Sequence, residues 1–182
     1  MSTPDVLVTF GHGVADREQL TELLGGAGVR VVVDVRIAPG SRRHPHVARA
    51  ELEQWLPEAG FSYRWDKRLG GHRRPASDSP DVAWREAGFR GYAGHMRTEP
   101  FLAAVSELLA QTATEPTAIM CAESLWWRCH RRLIADFVHL ARGVAVRHLA
   151  PDGRLTAHEP MPAARLREDG LLVYDSGQAS LL

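Results

Sequence analysis

Lysine is all but missing from this chain: among 22 basic residues Lys67 is the only one, so arginine carries nearly every cationic role. Cysteine is scarce as well. Cys121 and Cys129 are too few for a disulfide framework, so reduced thiols are expected, with a disulfide between them as the lesser alternative. Net charge is absent, since 22 acidic residues balance the 22 basic ones, and no global field draws the chain to nucleic acid or to a membrane surface. The longest apolar runs, VRVVVDV and TAIMCA, fall far short of the about 20 residues that cross a bilayer. The opening MSTPDVLVTF lacks a basic region followed by a long apolar one, so a cytoplasmic location without membrane contact is expected. No repeat or low-complexity linker interrupts the chain, and no CxxC or HxxxH spacing announces a metal site.

What remains is a globular composition, 45% apolar and 24% charged over 182 residues, long enough for one sizeable core and short for two. A single domain over residues 1–182 is the expectation. DVLVTFGHG reads as a buried strand ending in glycines, and ADREQLTELLGGAG as an amphipathic helix with a glycine stop. VRVVVDVR, rich in β-branched residues, is a second strand, ARAELEQWLPEAG a second helix and FSYRW a third strand. LGGHRRPASDSP reads as a long exposed loop, and DVAWREAGFRGYAGHM as short helical turns carrying aromatics. EPFLAAVSELLAQTA is a helix with Pro100 in its first turn, PTAIMCA a buried strand, CHRRLIADFVHLARG a helix and VAVRHL a further strand. The tail, from PDGRLTAHEP to LLVYDS, suggests a turn, a short helix and an edge strand. This alternation implies right-handed βαβ crossovers and therefore an α/β fold, a mostly parallel sheet with helices on both faces in a Rossmann-like three-layer architecture.

In such sheets ligands bind beyond the C-terminal ends of the strands. Four strand ends carry polar residues: His12 between two glycines, Asp34 with Arg36, Cys121 with Glu123, and Arg147 with His148. Each has a bland explanation: a hydrogen-bonded turn histidine, a structural Asp34–Arg36 ion pair, a helix cap at Glu123. Together they favour a functional site, because a buried apolar strand has no packing reason to end this way four times. Between Arg36 and Arg74, nine basic side chains stand against the acids Glu51, Glu53, Glu58 and Asp66, with His44, His46 and His72 added. A solvated basic face and an anion-binding face explain that excess equally well.

The stretch MCAESLWWRCHRRLI, residues 120–134, concentrates the reactive residue types. A phosphatase-like anion cradle fails on spacing: six residues separate Cys121 from Arg128 where that signature has five, the loop has no glycine, and Glu123 would repel the anion. Metal binding through Cys121, Glu123, Cys129, His130 and His148 is weakened because adjacent helical residues point about 100° apart. A third reading places Cys129 at a helix start, where backbone N–H groups and the helix dipole lower a thiol pKa. A fourth makes His12, Asp34 or Glu123 the general acid or base, with Arg36 and Arg131 holding an anionic group. Of Trp126 and Trp127, one ring belongs to the core and the other stacks on a base or lines a pocket.

TFGHG, DVR followed by PGSR, LGG at 69–71, MCAE with CHR downstream, and VRHL occur in an order and spacing that resembles the domain of unknown function 488 family. The resemblance covers residues 6–153 and leaves 154–182 as a C-terminal extension. It implies a compact, mostly bacterial α/β domain, and it marks Gly11, His12, Asp34, Arg36, Pro39, Ser41, Arg42, the 69–71 segment, Cys121, Glu123 and Cys129 to Arg131 without naming a reaction. The chain departs from the family at Gly13, where serine is frequent.

The leading expectation is an enzyme acting on an anionic substrate such as a nucleotide or nucleic-acid component. In it His12, Asp34, Glu123 and Cys129 are catalytic, Arg36, Ser41, Arg42 and Arg131 bind the substrate, and neither metal nor cofactor takes part. The alternatives are a non-catalytic nucleic-acid or protein binding module that uses the basic segment 36–74, and a Cys/His metal-binding protein.

Overall fold

The computed structural model describes residues 5–175. Five strands, β1 (Val6–Gly11), β2 (Val31–Asp34), β3 (Ser62–Trp65), β4 (Thr117–Cys121) and β5 (Ala145–Leu149), run parallel in one sheet. A sixth, β6 (Leu155–Ala157), closes the edge antiparallel to β5, giving the order β3-β2-β4-β1-β5-β6. Strands buried on both faces read as continuous apolar runs, which is why VRVVVDV and TAIMCA form the centre.

Alternation along the strands feeds two cores. On one face α1 (Arg17–Gly26) and α2 (Arg49–Glu58) set Leu20, Leu24, Leu52 and Leu56 against Val8, Phe10, Val32 and Met120. On the other, α3 (Ala87–His95), α4 (Glu99–Thr114) and α5 (Arg131–Arg142) bring Tyr92, Phe101, Leu108 and Phe137 onto Leu7, Val33, Ile119 and Val146. Each fully buried side chain of this kind contributes about 1.5–3 kcal/mol, so the two faces together outweigh any local propensity. The result is the expected three-layer α/β architecture. The α1 start is fixed by a capping box between Asp16 and Gln19, and α5 stops at Gly143, whose φ of 66° suits glycine.

Two segments differ from the sequence expectation. The aromatic middle holds a nine-residue helix, α3, rather than isolated turns, because Gly91 lets it press against the backbone of Arg73 and Arg74. The tail has no helix among its described residues. It forms β6 and a hairpin of β7 (Ala164–Leu166) with β8 (Leu172–Tyr174), because Pro160 and Pro162 deny a helix its hydrogen bonds and Gly170 turns the chain. Leu172 and Tyr174 dock into the α3–α5 core. No helix among the described residues is long and apolar enough to cross a membrane.

The connections leaving β1 and β2 run over one face, and the connection leaving β4 runs over the other. Neighbouring loops therefore part at the C-terminal ends of β2, β4 and β1 and leave a crevice there.

Candidate functional site

That crevice is a cleft of about 670 Å³, a size suited to a small ligand. Its floor is the paired ends of β1 and β4, where Gly11 stands opposite Cys121 and the His12 and Gly13 N–H groups donate to the carbonyls of Cys121 and Ala122. Gly11 has a steric reason: a Cβ there would overlap the Glu123 carbonyl. At Gly13, φ is 49° and a Cβ would strike the Ser124 hydroxyl.

The first cluster is built on Arg36. Its Nε–H and Nη2–H donate to the two oxygens of Asp34 at 2.9 and 2.7 Å, and Nη2–H also donates to the Val47 carbonyl at 2.8 Å. Tyr63 adds its hydroxyl to Asp34 Oδ2 at 2.6 Å, and burial, with the carboxylate beside it, pushes the phenol pKa up so that it stays a donor. Arg36 Nη1 reaches His12 Nε2 at 3.3 Å. A guanidinium only donates and a carbonyl only accepts, so His12 receives at Nε2 and donates Nδ1–H to the Gly13 carbonyl at 3.0 Å. This is a neutral imidazole, and burial followed by the Arg36 charge holds its pKa at about 4. Asp34 and His12 thus aim one guanidinium, leaving an Nη1–H with no acceptor among the described residues.

The second cluster is built on Cys129. The residue is extended, ahead of α5, so the 100° divergence expected on a helix does not apply and its sulfur lies 3.6 Å from Nδ1 of the neighbouring His130. His130 Nε2–H donates to the Val35 carbonyl at 2.9 Å, which orients the ring. The Arg131 backbone N–H points at the same sulfur from 3.5 Å, so the thiol also caps the first turn of α5. Burial alone would raise its pKa; hydrogen bonds with Cys121 and His130 and the charge of Arg131 outweigh that and hold it well below the ordinary thiol range. Cys121 moves the opposite way, pushed up by burial and by its bond to Cys129. Both thiols are free, and both line the cleft. Gly71 is needed beside them, since a Cβ would come within 3.0 Å of the His130 ring.

Of the residues singled out from sequence, His12, Arg36, Ser41, Glu123 and Cys129 line this cleft. Asp34 lies beneath it and reaches it only through Arg36. Arg42 is exposed outside the lining. Arg131 is buried behind the floor, donating to Thr9 Oγ1 at 3.2 Å and to the Glu123 carbonyl, so its polar contacts hold the loop after β4. The Glu123 carboxylate accepts from the Leu125 N–H at 3.0 Å and is otherwise exposed. Sequence reasoning passed over His130 as a base and Arg43 as an anion contact, and it weighed Arg128 only as part of a phosphatase-like cradle; Arg43 and Arg128 are exposed arginines that line the cleft without ion pairs among the described residues.

The fourth strand end does not join them. His148 pairs in register with Thr9, two residues short of the end of β1, and faces α5. There it belongs to a buried chain with one sense of donation. Arg131 Nη1–H donates to Thr9, Thr9 Oγ1 lies 2.6 Å from His148 Nδ1, His148 Nε2 lies 2.8 Å from His158 Nδ1, and His158 Nε2 lies 2.7 Å from Asp136. Tyr174 donates its hydroxyl to the other Asp136 oxygen at 2.7 Å. Trp126 lies flat over His148 at 4.1 Å, whereas Trp127 is 48% exposed. Among the described residues no group of three or more His, Cys, Asp or Glu is arranged to hold a metal ion, and His148 is engaged behind the sheet, away from the cleft.

The family described as domain of unknown function DUF488 matches residues 16–138, more than half of the sequence, and the chain belongs to that family. The match takes in Asp34, Arg36, the LGG segment and both cysteines, and excludes the TFGHG and VRHL segments. No curated protein and no solved structure gives a significant match.

Proposed function

We propose that the cleft is the active site of an enzyme acting on an anionic, phosphate-bearing substrate such as a nucleotide or nucleic-acid component. The observation that carries this reading is the Cys129–His130 pair, oriented by the Val35 carbonyl and opening into a cleft lined by Arg36, Arg43 and Arg128. A nucleophile in contact with a base, and a base oriented by a third group, is the arrangement that covalent catalysis needs. Cys129 supplies the thiolate, His130 carries the proton, and the free Nη1–H of Arg36 with Arg43 and Arg128 receives the anionic group. Glu123 and Ser41, at the rim, contact the substrate's polar groups. A reduced dithiol suits the cytoplasm.

A pure binding module is less well supported, because Arg36, Arg49, Arg64 and Arg68 of the basic segment are tied to Asp34, Glu53, Asp66 and Glu107. The test is protection. At neutral pH iodoacetamide should label Cys129 well before Cys121, thymidine monophosphate should slow that labelling, and Arg43→Ala and Arg128→Ala should each weaken the protection about tenfold, the worth of one charge-assisted contact. Equal labelling of the two thiols, or no protection at millimolar nucleotide, would overturn the reading.

A further inference from the structure

On another side of α3 lies a second pocket, of about 460 Å³, that the proposed chemistry does not use. Its charge is one-sided. Arg73, Arg74, Arg90 and Arg97 line it against the single acid Asp78. Arg97 is spent on the buried Asp81 carboxylate, at 2.6 Å. The others keep their charge: Arg73 donates only to the Gly70 and Lys67 carbonyls, Arg90 only to the Trp84 carbonyl, and Arg74 is exposed. A carbonyl satisfies a guanidinium N–H without neutralising it, so three positive charges face this pocket with no carboxylate bound to them among the described residues.

The two pockets share walls. Gly88, Phe89 and Tyr92 of α3 line the cleft while Arg90, Gly91 and Gly94 line the second pocket, and the loop after β3 continues from Gly71 and His72 in the cleft to Arg73 and Arg74 outside it. At the handover His72 has a φ of 57°, a left-handed backbone that a non-glycine residue adopts at a cost and that clusters at binding sites. A helix with its side chains is about 10 Å across, so one nucleotide cannot occupy both sides of α3, whereas a phosphodiester strand can.

We infer that the substrate is a single strand of nucleic acid rather than a mononucleotide: its reacting unit enters the Cys129 cleft and the phosphates of the neighbouring units cross the His72 turn to Arg73, Arg74 and Arg90. This rests on the cleft reading above and names its substrate class. Arginine forks match phosphate oxygens, and Phe89, half-buried on the cleft side, offers a ring on which a base can stack.

The test measures binding of a short fluorescein-labelled oligothymidylate against salt, beside the protection of Cys129 by thymidine monophosphate. The double variant Arg74→Ala/Arg90→Ala should weaken the oligonucleotide about tenfold and flatten its salt slope by about 1.4, the value for two contacts on a single strand. Monophosphate protection and thermal midpoint should not move, Arg74→Ala alone, at an exposed site, should show half the slope change, and Arg147→Ala, at an exposed position of β5 away from both pockets, should change nothing. Unchanged oligonucleotide affinity in the double variant overturns the inference, and leaves the cleft reading standing if the monophosphate still protects. Polyglutamate competing as well as the oligonucleotide also overturns it, since charge alone would then explain the pocket. Failure of both nucleotide probes overturns the inference and the cleft reading together.

Discussion

Replacing Asp34 by asparagine isolates what holds the cleft in shape. Asp34 is fully buried and its carboxylate accepts four donors: the backbone N–H and Nε–H of Arg36 at Oδ1, and Arg36 Nη2–H and the Tyr63 hydroxyl at Oδ2. Asparagine keeps the shape but loses the charge. Whichever way the amide turns, its NH2 group meets two donors, and Arg36, with its side chain only 9% exposed, keeps its charge without a counterion. Breaking a buried pair on one side costs about 3–5 kcal/mol. For a chain of this size that lowers Tm by about 6–20 °C. Tyr63→Phe removes one of the four donors and should cost about 1 kcal/mol. The double variant Asp34→Asn/Arg36→Met should recover part of the loss, because it removes the orphaned charge. Urea denaturation followed by circular dichroism gives the three stabilities. A loss below about 1 kcal/mol for Asp34→Asn, or an equal loss for Tyr63→Phe, would show that Arg36 is held by something other than this carboxylate.

Two further outcomes follow from the same geometry. His12, His95 and His148 all have pKa values lowered by burial, to about 4 for His12 and about 3 for His148, so below their ordinary 6.5 the unfolded chain takes up protons that the folded chain refuses. Stability is therefore full above that value and falls as pH drops from 6.5 towards 4, and a urea midpoint that stays flat from neutral pH to pH of about 5 would contradict the burial of these rings. Gly11→Ala should separate the loop after β4 from β1, because the new methyl group overlaps the Glu123 carbonyl; expected are a loss of several kcal/mol and loss of the selective labelling of Cys129, whereas Gly25→Ala, in open space, should be neutral or stabilising.

The parallel sheet was legible because its strands are buried on both faces and separated by helices with 3.6-residue periodicity, and nothing non-local competes with that pattern at VRVVVDV or TAIMCA. α3 was obscured because its helix depends on Gly91 meeting a distant loop backbone, which no local propensity records. The strand-end rule located His12, Asp34, Arg36 and the Cys121–Cys129 stretch in one region, since the topology alone brings those ends together. It misplaced His148 because a strand's last polar residue faces the cleft only if the strand runs as far as its neighbour, and register is not written in one strand's sequence. Arg131 illustrates a different limit. Its position at a helix start suggested an anion clamp, but its length lets it reach back to Thr9 and the Glu123 carbonyl, and only the packed structure shows that reach.

The buried chain behind α5 shows why the segment beyond residue 154 is more than an appendage. Asp136 lies on α5, inside the family match, fully buried, and the groups that satisfy it are His158, the Met161 N–H and Tyr174, all supplied by the tail. A buried carboxylate needs donors, and the tail that covers Asp136 also supplies them, so docking of the tail and burial of this face of α5 go together. The same chain runs through His148 and Thr9 to Arg131, whose other amino group holds the Glu123 carbonyl at the cleft floor. The tail is thereby linked, through His148, Thr9 and Arg131, to the loop that positions Cys121 and Cys129.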